Sequence, residues 1–246
     1  MSNDDFQTWY IKAFHLQDSG QYQSALVAYD QAIEHNPDDY RIWYNKGICL
    51  EKLKKYSEAL TAYNKAIECN PSNYETWCNK AICLYSLEEY LKALLSFDKA
   101  LELNPNAYQV WFNKGVCLDI LTYYKQSIIC YEKVIELNPS DHEAWFNKGV
   151  CLNQLGEHKQ ALFCYEEVIK LKADFYQAWY NKACIHAVQD EELKAIESLE
   201  MSFNLQSKED MITFKNLLET DPELNPIRDS KIFKLFFSSV KNNCCK

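Results

Sequence analysis

The six tryptophans of this chain, Trp9, Trp43, Trp77, Trp111, Trp145 and Trp179, each follow the previous one by 34 residues. A fixed period in that range constrains the fold more than any compositional figure does. It requires one supersecondary unit to be stacked repeatedly, each copy contacting only its neighbours. Six such units occupy residues 6–209 of the 246, and the remainder, 210–246, is too short for a catalytic domain.

Each unit begins three residues before its tryptophan, giving 6–39, 40–73, 74–107, 108–141, 142–175 and 176–209. Numbered from 1 to 34 within a unit, position 4 is tryptophan and position 8 is always small: Ala13, Gly47, Ala81, Gly115, Gly149, Ala183. In the second unit Trp43, Gly47 and Leu50 follow a helical spacing, as do Tyr56, Ala59, Leu60, Tyr63, Ala66 and Ile67. Two amphipathic helices per unit, A and B, satisfy this pattern, so the fold class is all-α. The five glycines occupy position 8 and the A–B turn at position 15 (Gly20, Gly156). Glycine inside a helix costs about 1 kcal/mol relative to alanine, so its use at position 8 implies a neighbouring helix that needs the space. Pro37, Pro71, Pro105 and Pro139 fall at position 32, each after asparagine, where proline ends helix B.

These residues carry a family resemblance. Trp at position 4, a small residue at 8, Leu at 11, Ala at 20 (Ala25, Ala59, Ala93, Ala161, Ala195), an aromatic at 24 (Tyr29, Tyr63, Phe97, Tyr131, Tyr165), Ala at 27 and Pro at 32 resemble the tetratricopeptide repeat, as bacterial arrays carry it. The resemblance covers 6–209 and implies an α-solenoid, a right-handed superhelix of antiparallel helix pairs with the A helices on its concave face. The pattern departs at Ser127, Val134, Val168 and Ala173, and most in the sixth unit, with Leu199 and Ser202 and no proline at its end. The pentatricopeptide RNA readers have a similar helix pair, but a longer period and a basic face disfavour them.

Composition excludes several functions. Apolar content of 48% rules out a disordered chain, and a net charge of −9 argues against nucleic acid as partner. The N-terminus lacks the pattern of a secretory signal, and no apolar run reaches the roughly 18 residues of a membrane span. Eleven cysteines form no CxxC pair and mostly recur at repeat positions, as Cys49, Cys83, Cys117 and Cys151 do. They read as small core fillers in a reducing compartment, so the expected location is the cytoplasm. The five histidines occupy five different repeat positions, with no triad or metal spacing. No catalytic residue, metal or cofactor is expected.

Residues 210–246 read as C-terminal capping helices and a short tail. Asp210 to Glu219 forms one helix, Asp221-Pro222-Glu223-Leu224-Asn225-Pro226 breaks it, and Ile227 to Val240 forms another. The wording resembles the terminal extension of bacterial repeat proteins of this family. An alternative assigns Phe233, Phe236 and Phe237 to a membrane or to self-association, and Cys244 and Cys245 to acylation, although no CaaX box is present.

The tryptophan is expected to be buried, and a rotation of about 100° per residue turns position 6 about 200° away from it. That position holds Asn45, Asn79, Asn113, Asn147 and Asn181. Asparagine is a mediocre helix former, so helix stability does not explain the row. Each carboxamide offers donors and an acceptor, and the resemblance implies that such a ladder holds the backbone of an extended peptide in the concave groove. The other reading is that the amides bond across units. Position 5 adds Tyr44, Phe112, Phe146 and Tyr180, and position 9 adds Ile48, Ile82, Val116 and Val150, so the bound segment is expected to be extended and partly aliphatic. Position 7 is lysine in every unit, placed so that its stem covers the edge of the core. The clamp that docks acidic chaperone C-termini needs Lys at position 5 and Asn at position 9, and neither occurs. The expected function is a protein-interaction scaffold or adaptor. The alternative is a structural solenoid that self-associates through its ends or its Phe-rich helix.

Overall fold

The computed structural model describes residues 3–207 and 210–244, with side chains for 6–207 and 210–241. The chain divides into two compact bodies, Met1–Tyr123 and Tyr124–Lys246. In the first, α1 (Asn3–Asp18) pairs with α2 (Tyr22–His35), α3 (Tyr40–Lys52) with α4 (Tyr56–Cys69), and α5 (Tyr74–Ser86) with α6 (Tyr90–Leu103), before α7 (Tyr108–Ile120). The second holds α8 (Tyr124–Leu137), then the pairs α9 (His142–Gln154) with α10 (His158–Leu171) and α11 (Tyr176–Val188) with α12 (Glu192–Asn204). It ends in α13 (Met211–Thr220), a 3-10 turn at Pro222–Leu224, α14 (Asn225–Arg228) and α15 (Lys231–Cys244). Every regular element among the described residues is helical, as expected of an α-solenoid. The division falls inside the unit 108–141, and Lys208 and Glu209 lie outside the described residues. No described helix is long and apolar enough to cross a membrane.

One turn recurs in all six units. Gly20, Lys54, Glu88, Thr122, Gly156 and Asp190, all at position 15, have φ between 57° and 75°. The next residue's N–H returns to the carbonyl five residues earlier: Gln21 to Leu16, Lys55 to Leu50, Glu89 to Leu84, Tyr123 to Leu118, Glu157 to Leu152 and Glu191 to His186, at 2.8–2.9 Å. This helix-ending motif satisfies carbonyls that the last helical turn leaves open. Four of the six units place a side chain in a left-handed conformation that favours glycine.

The tryptophans depart from the sequence expectation. They are half-buried rather than buried, because the indole N–H must reach a backbone carbonyl at the edge of the core. Trp43 donates to Pro37 O at 2.7 Å, Trp77 to Pro71 O at 2.9 Å, Trp111 to Pro105 O at 2.8 Å and Trp145 to Pro139 O at 3.2 Å. The two motifs legible in the sequence, tryptophan and Asn-Pro, are thus one device joining each helix B terminus to the next helix A. Ala173 replaces proline before Trp179, and there the buried Nε1 has no partner among the described residues.

The largest buried side chains are the position 24 rings Tyr29, Tyr63, Tyr131, Tyr165 and Phe97. They account for glycine at position 8: a Cβ on Gly47 would lie 2.5 Å from Tyr63 Cε1, and one on Gly149 would lie 2.6 Å from Tyr165 Cε1. Cys49, Cys83, Cys117 and Cys151 are thiols with no exposed surface, matching their reading as core fillers. Cys245 lies outside the described residues, and Cys244 is described in its backbone alone.

The tail is a cap. Phe233 and Phe236, which the alternative reading gave to self-association or a membrane, are 2% and 7% exposed and pack with Leu199, Phe214 and Leu218. Phe203 lies edge-on to Phe236, with ring centroids 6.4 Å apart.

Two substitutions test the turn and the terminus. Thr122 is exposed, with φ 61°, so Thr122→Gly is expected to stabilise the chain by about 1 kcal/mol, seen as a higher urea midpoint. Lys172 already has the extended backbone (φ −145°, ψ 90°) that Asn104 has before Pro105 (φ −139°, ψ 90°). Ala173→Pro is therefore expected to add about 0.4–1 kcal/mol in the same measurement.

Candidate functional site

Successive A helices meet along a seam, α1 against α3, α3 against α5 and α5 against α7 in the first body, and α9 against α11 in the second. Positions 5 and 6 border it, so the asparagines do not point freely outward. Asn45 is 8% exposed, and Asn79, Asn113, Asn147 and Asn181 are half-buried. Asn45 Nδ2 donates to Tyr10 Oη at 3.0 Å and Asn79 Nδ2 to Tyr44 Oη at 3.4 Å, in each case position 6 to position 5 of the preceding unit. Position 5 of the third unit is Cys78, whose thiol lies beside the Asn113 amide. Burial pushes the Tyr44 hydroxyl up to about 12, so it stays protonated at neutral pH. Cross-unit bonding, the competing reading of the row, is therefore present for Asn45 and Asn79. It uses one N–H of each amide, and each carboxamide still has a second N–H and an acceptor oxygen.

In the first body α5 and α7 enclose a pocket of about 320 Å³, lined by Ile82, Tyr85, Ser86, Phe112, Asn113 and Val116, with Phe97 as its floor. Ile82 and Val116 hold position 9 of their units, Tyr85 and Ser86 positions 12 and 13, and Phe112 and Asn113 positions 5 and 6. The pocket has a physical origin in Phe97. At the same place Tyr29 Oη donates to Gln17 Oε1 at 2.7 Å and Tyr63 Oη to Glu51 Oε2 at 3.0 Å. Those hydroxyls tie the core ring to position 12 of the inner wall, and Phe97 has none. Tyr85, Ser86 and Phe97 were not among the expected site residues; the signal was the phenylalanine in a row of tyrosines.

The second body is arranged differently. Phe146 packs edge-on against Phe175 (ring centroids 5.1 Å) and tilts against Tyr165 (5.9 Å). Phenylalanine offers no acceptor, and Asn181 instead donates to Tyr165 Oη at 3.4 Å. Tyr180 departs from its expected place in an open groove: it is 8% exposed, donates to Asp221 Oδ2 at 2.7 Å and meets Phe214 edge-on at 6.0 Å. The cap causes this. Its 3-10 turn and α14 lie against α11, and Asn153 on α9 donates to Glu223 at 3.2 Å. The chain's own Asp221-Pro222-Glu223-Leu224 segment thus lies against the inner wall of the last unit and reaches Asn153 of the unit before it.

Cys184, Asp221 and Glu223 bring one sulfur and two carboxylates within 4.8 Å of one another, a grouping with metal-ligand chemistry. Its atoms are engaged in holding the cap. Asp221 accepts from Tyr180, from the Glu223 N–H at 2.9 Å and from the Cys184 thiol at 3.8 Å. Burial pushes the Cys184 thiol far up, which keeps it a proton donor to Asp221.

Family models described as tetratricopeptide repeat match residues 13–74, 74–107 together with 142–175, and 108–141. Among solved structures, "YrrB: a TPR protein with an unusual peptide-binding site" is 26% identical with a TM-score of 0.68, covering 78% of this chain and 98% of that one. "MamA 41-end" from Desulfovibrio magneticus RS-1 is 19% identical with a TM-score of 0.67, covering 71% and 99%. A structure of "MamA protein" is 15% identical with a TM-score of 0.67, covering 72% and 96%. A search of curated proteins returned no match.

Asp221→Ala removes the acceptor of a buried hydroxyl and the cap of the 3-10 turn, at a cost of about 1–3 kcal/mol. The loss is expected to stay local: amide hydrogen exchange across 211–240 accelerates about tenfold or more, while residues 22–103 keep their protection.

Proposed function

The chain belongs to the tetratricopeptide repeat family, a family of protein-interaction scaffolds, and from that premise we propose that its first body holds an extended segment of another protein along the A-helix wall. The pocket between α5 and α7 carries this reading. It is a largely apolar hole of about 320 Å³ with a few polar groups, the Asn113 amide and the Tyr85 and Ser86 hydroxyls, among its lining, which is the usual make-up of a site that takes an aliphatic side chain and fixes its orientation. In this reading the segment places a side chain between Phe112, Ile82 and Val116. Its backbone N–H meets the oxygen of Asn113 at the edge of the pocket. Asn45 and Asn79, with their nitrogens held by Tyr10 and Tyr44, extend the acceptor row, and Tyr44 and Phe112 shape its walls. Asn147 and Phe146 belong to the equivalent row of the second body. Tyr180 does not take part, because it is buried against Asp221 of the cap, and Asn181 beside it is turned to Tyr165. The peptide-binding site named for the YrrB structure, at 26% identity, is consistent with this assignment.

No catalytic step is assigned to the chain, which acts as an adaptor. The alternative of self-association through the Phe-rich helix loses its main support, since Phe233 and Phe236 are used within the cap.

Selection from a random peptide library tests the reading. The wild-type chain is expected to enrich extended peptides with a recurrent aliphatic residue. Asn113→Ala should weaken the selected peptide by about 5–30-fold, equivalent to about 1–2 kcal/mol, with an unchanged circular dichroism spectrum. Asn181→Ala should leave the affinity as it was. Equal affinity for wild type and Asn113→Ala would sink the assignment.

A further inference from the structure

The lysine at position 7 has a partner that recurs with the repeat. Its ammonium lies over the tryptophan three residues earlier, 5.4 Å from the ring centre for Lys46, 5.1 Å for Lys80, 5.4 Å for Lys114, 5.7 Å for Lys148 and 5.5 Å for Lys182. Four of these five also bind a carboxylate from position 25 of the unit before. The pairs are Lys46–Asp30 at 2.5 Å, Lys114–Asp98 at 2.5 Å, Lys148–Glu132 at 2.8 Å and Lys182–Glu166 at 3.2 Å. The exception is Lys80, because position 25 of the second unit is Asn64.

Where the carboxylate is missing, a cleft of about 470 Å³ opens between α4 and α6. Trp77 and Lys80 lie in it, Asn64 stands at its rim, and Leu60, Leu84 and Leu95 line it. Lys80 is half-buried and has no carboxylate partner among the described residues. The other charges in the cleft, Glu89 and Lys92, neutralise each other at 2.5 Å. Desolvation holds the Lys80 ammonium below its ordinary value, the direction expected of a cation lacking its counter-charge. A neutral asparagine in place of aspartate removes the negative charge and adds N–H donors, so no anion stands beside Lys80 where the other four junctions hold one. Leu95 is 71% exposed and Leu91, one turn earlier on α6, is 64% exposed, so the rim is apolar.

We propose that this cleft is a second docking site, which accepts an aspartate or glutamate side chain, flanked by aliphatic residues, from a partner protein. The visiting carboxylate takes the place that Asp30, Asp98, Glu132 and Glu166 occupy at the other junctions, against Lys80 and over the Trp77 face. Its aliphatic neighbours cover Leu91 and Leu95. The site lies on the B-helix side of the first body and is independent of the pocket between α5 and α7.

The test uses the full chain and two capped peptides, acetyl-Leu-Leu-Glu-Leu-amide and its glutamine counterpart, titrated by calorimetry and followed at the Trp77 indole resonance. Wild type is expected to bind the glutamate peptide about fivefold more tightly than the glutamine one. Asn64→Asp, which rebuilds the ion pair of the other junctions and so should fold as well as wild type, is expected to abolish that preference. Lys80→Gln should abolish it too. Sodium acetate at the peptide's concentration should not displace the glutamate peptide, which separates a protein segment from a free carboxylate. Absence of binding, equal binding of both peptides by wild type, a preference that survives in Asn64→Asp, or displacement by acetate would each overturn the proposal.

Discussion

A hydrogen bond from an indole N–H to a proline carbonyl holds the register of this chain. In a stack where each unit touches only its neighbours, the free energy of the array resides largely in the junctions. A junction built on apolar packing alone is free to slide. The bonds from Trp43, Trp77, Trp111 and Trp145 to the carbonyls of Pro37, Pro71, Pro105 and Pro139 remove that freedom. Proline suits the accepting side because it ends helix B and has no N–H that would need its own partner. Tryptophan suits the donating side because a single large ring supplies both contact area and a directed donor. The bond requires the ring to lie at the rim of the core, which leaves its face open to the lysine three residues on.

The same geometry sorts the two faces of the first body. On the A-helix side the core tyrosines Tyr29 and Tyr63 reach through to Gln17 and Glu51, and a pocket appears where Phe97 lacks the hydroxyl to do so. On the B-helix side lysine and a carboxylate close each junction, and a cleft appears where Asn64 lacks the charge to do so. In both cases a regular array acquires a cavity where one polar atom or one charge is missing from an otherwise repeated contact.

Much of this was legible in the residues. Helix count, pairing, the position 15 turn and the reason for Gly47 and Gly149 all follow from a period and from side-chain size. The burial of Tyr180 did not, because it depends on where a non-repeating segment, Asp221 to Leu224, folds back. Helix rotation measured from Trp43 misplaced the asparagines, since it assumed a fully buried reference and ignored the adjacent A helix that Asn45 meets at Tyr10. Lysine pairing with position 25 was readable, because Asp30, Asn64, Asp98, Glu132 and Glu166 each precede a position 7 lysine by 16 residues. Helical periodicity within one unit does not reveal a partner that lies in the next.

The cleft at Lys80 belongs to a junction and not to a unit. Every unit contributes the same lysine and the same tryptophan, so the openness of a junction is decided wholly by position 25 of the unit before it. A duplication of the second unit would carry Asn64 with it and create a second open junction, whatever unit came next. A duplication of the third would carry Asp98 and create none. Gain or loss of an open junction in such an array thus depends on which of its units is copied, even when no residue within them changes.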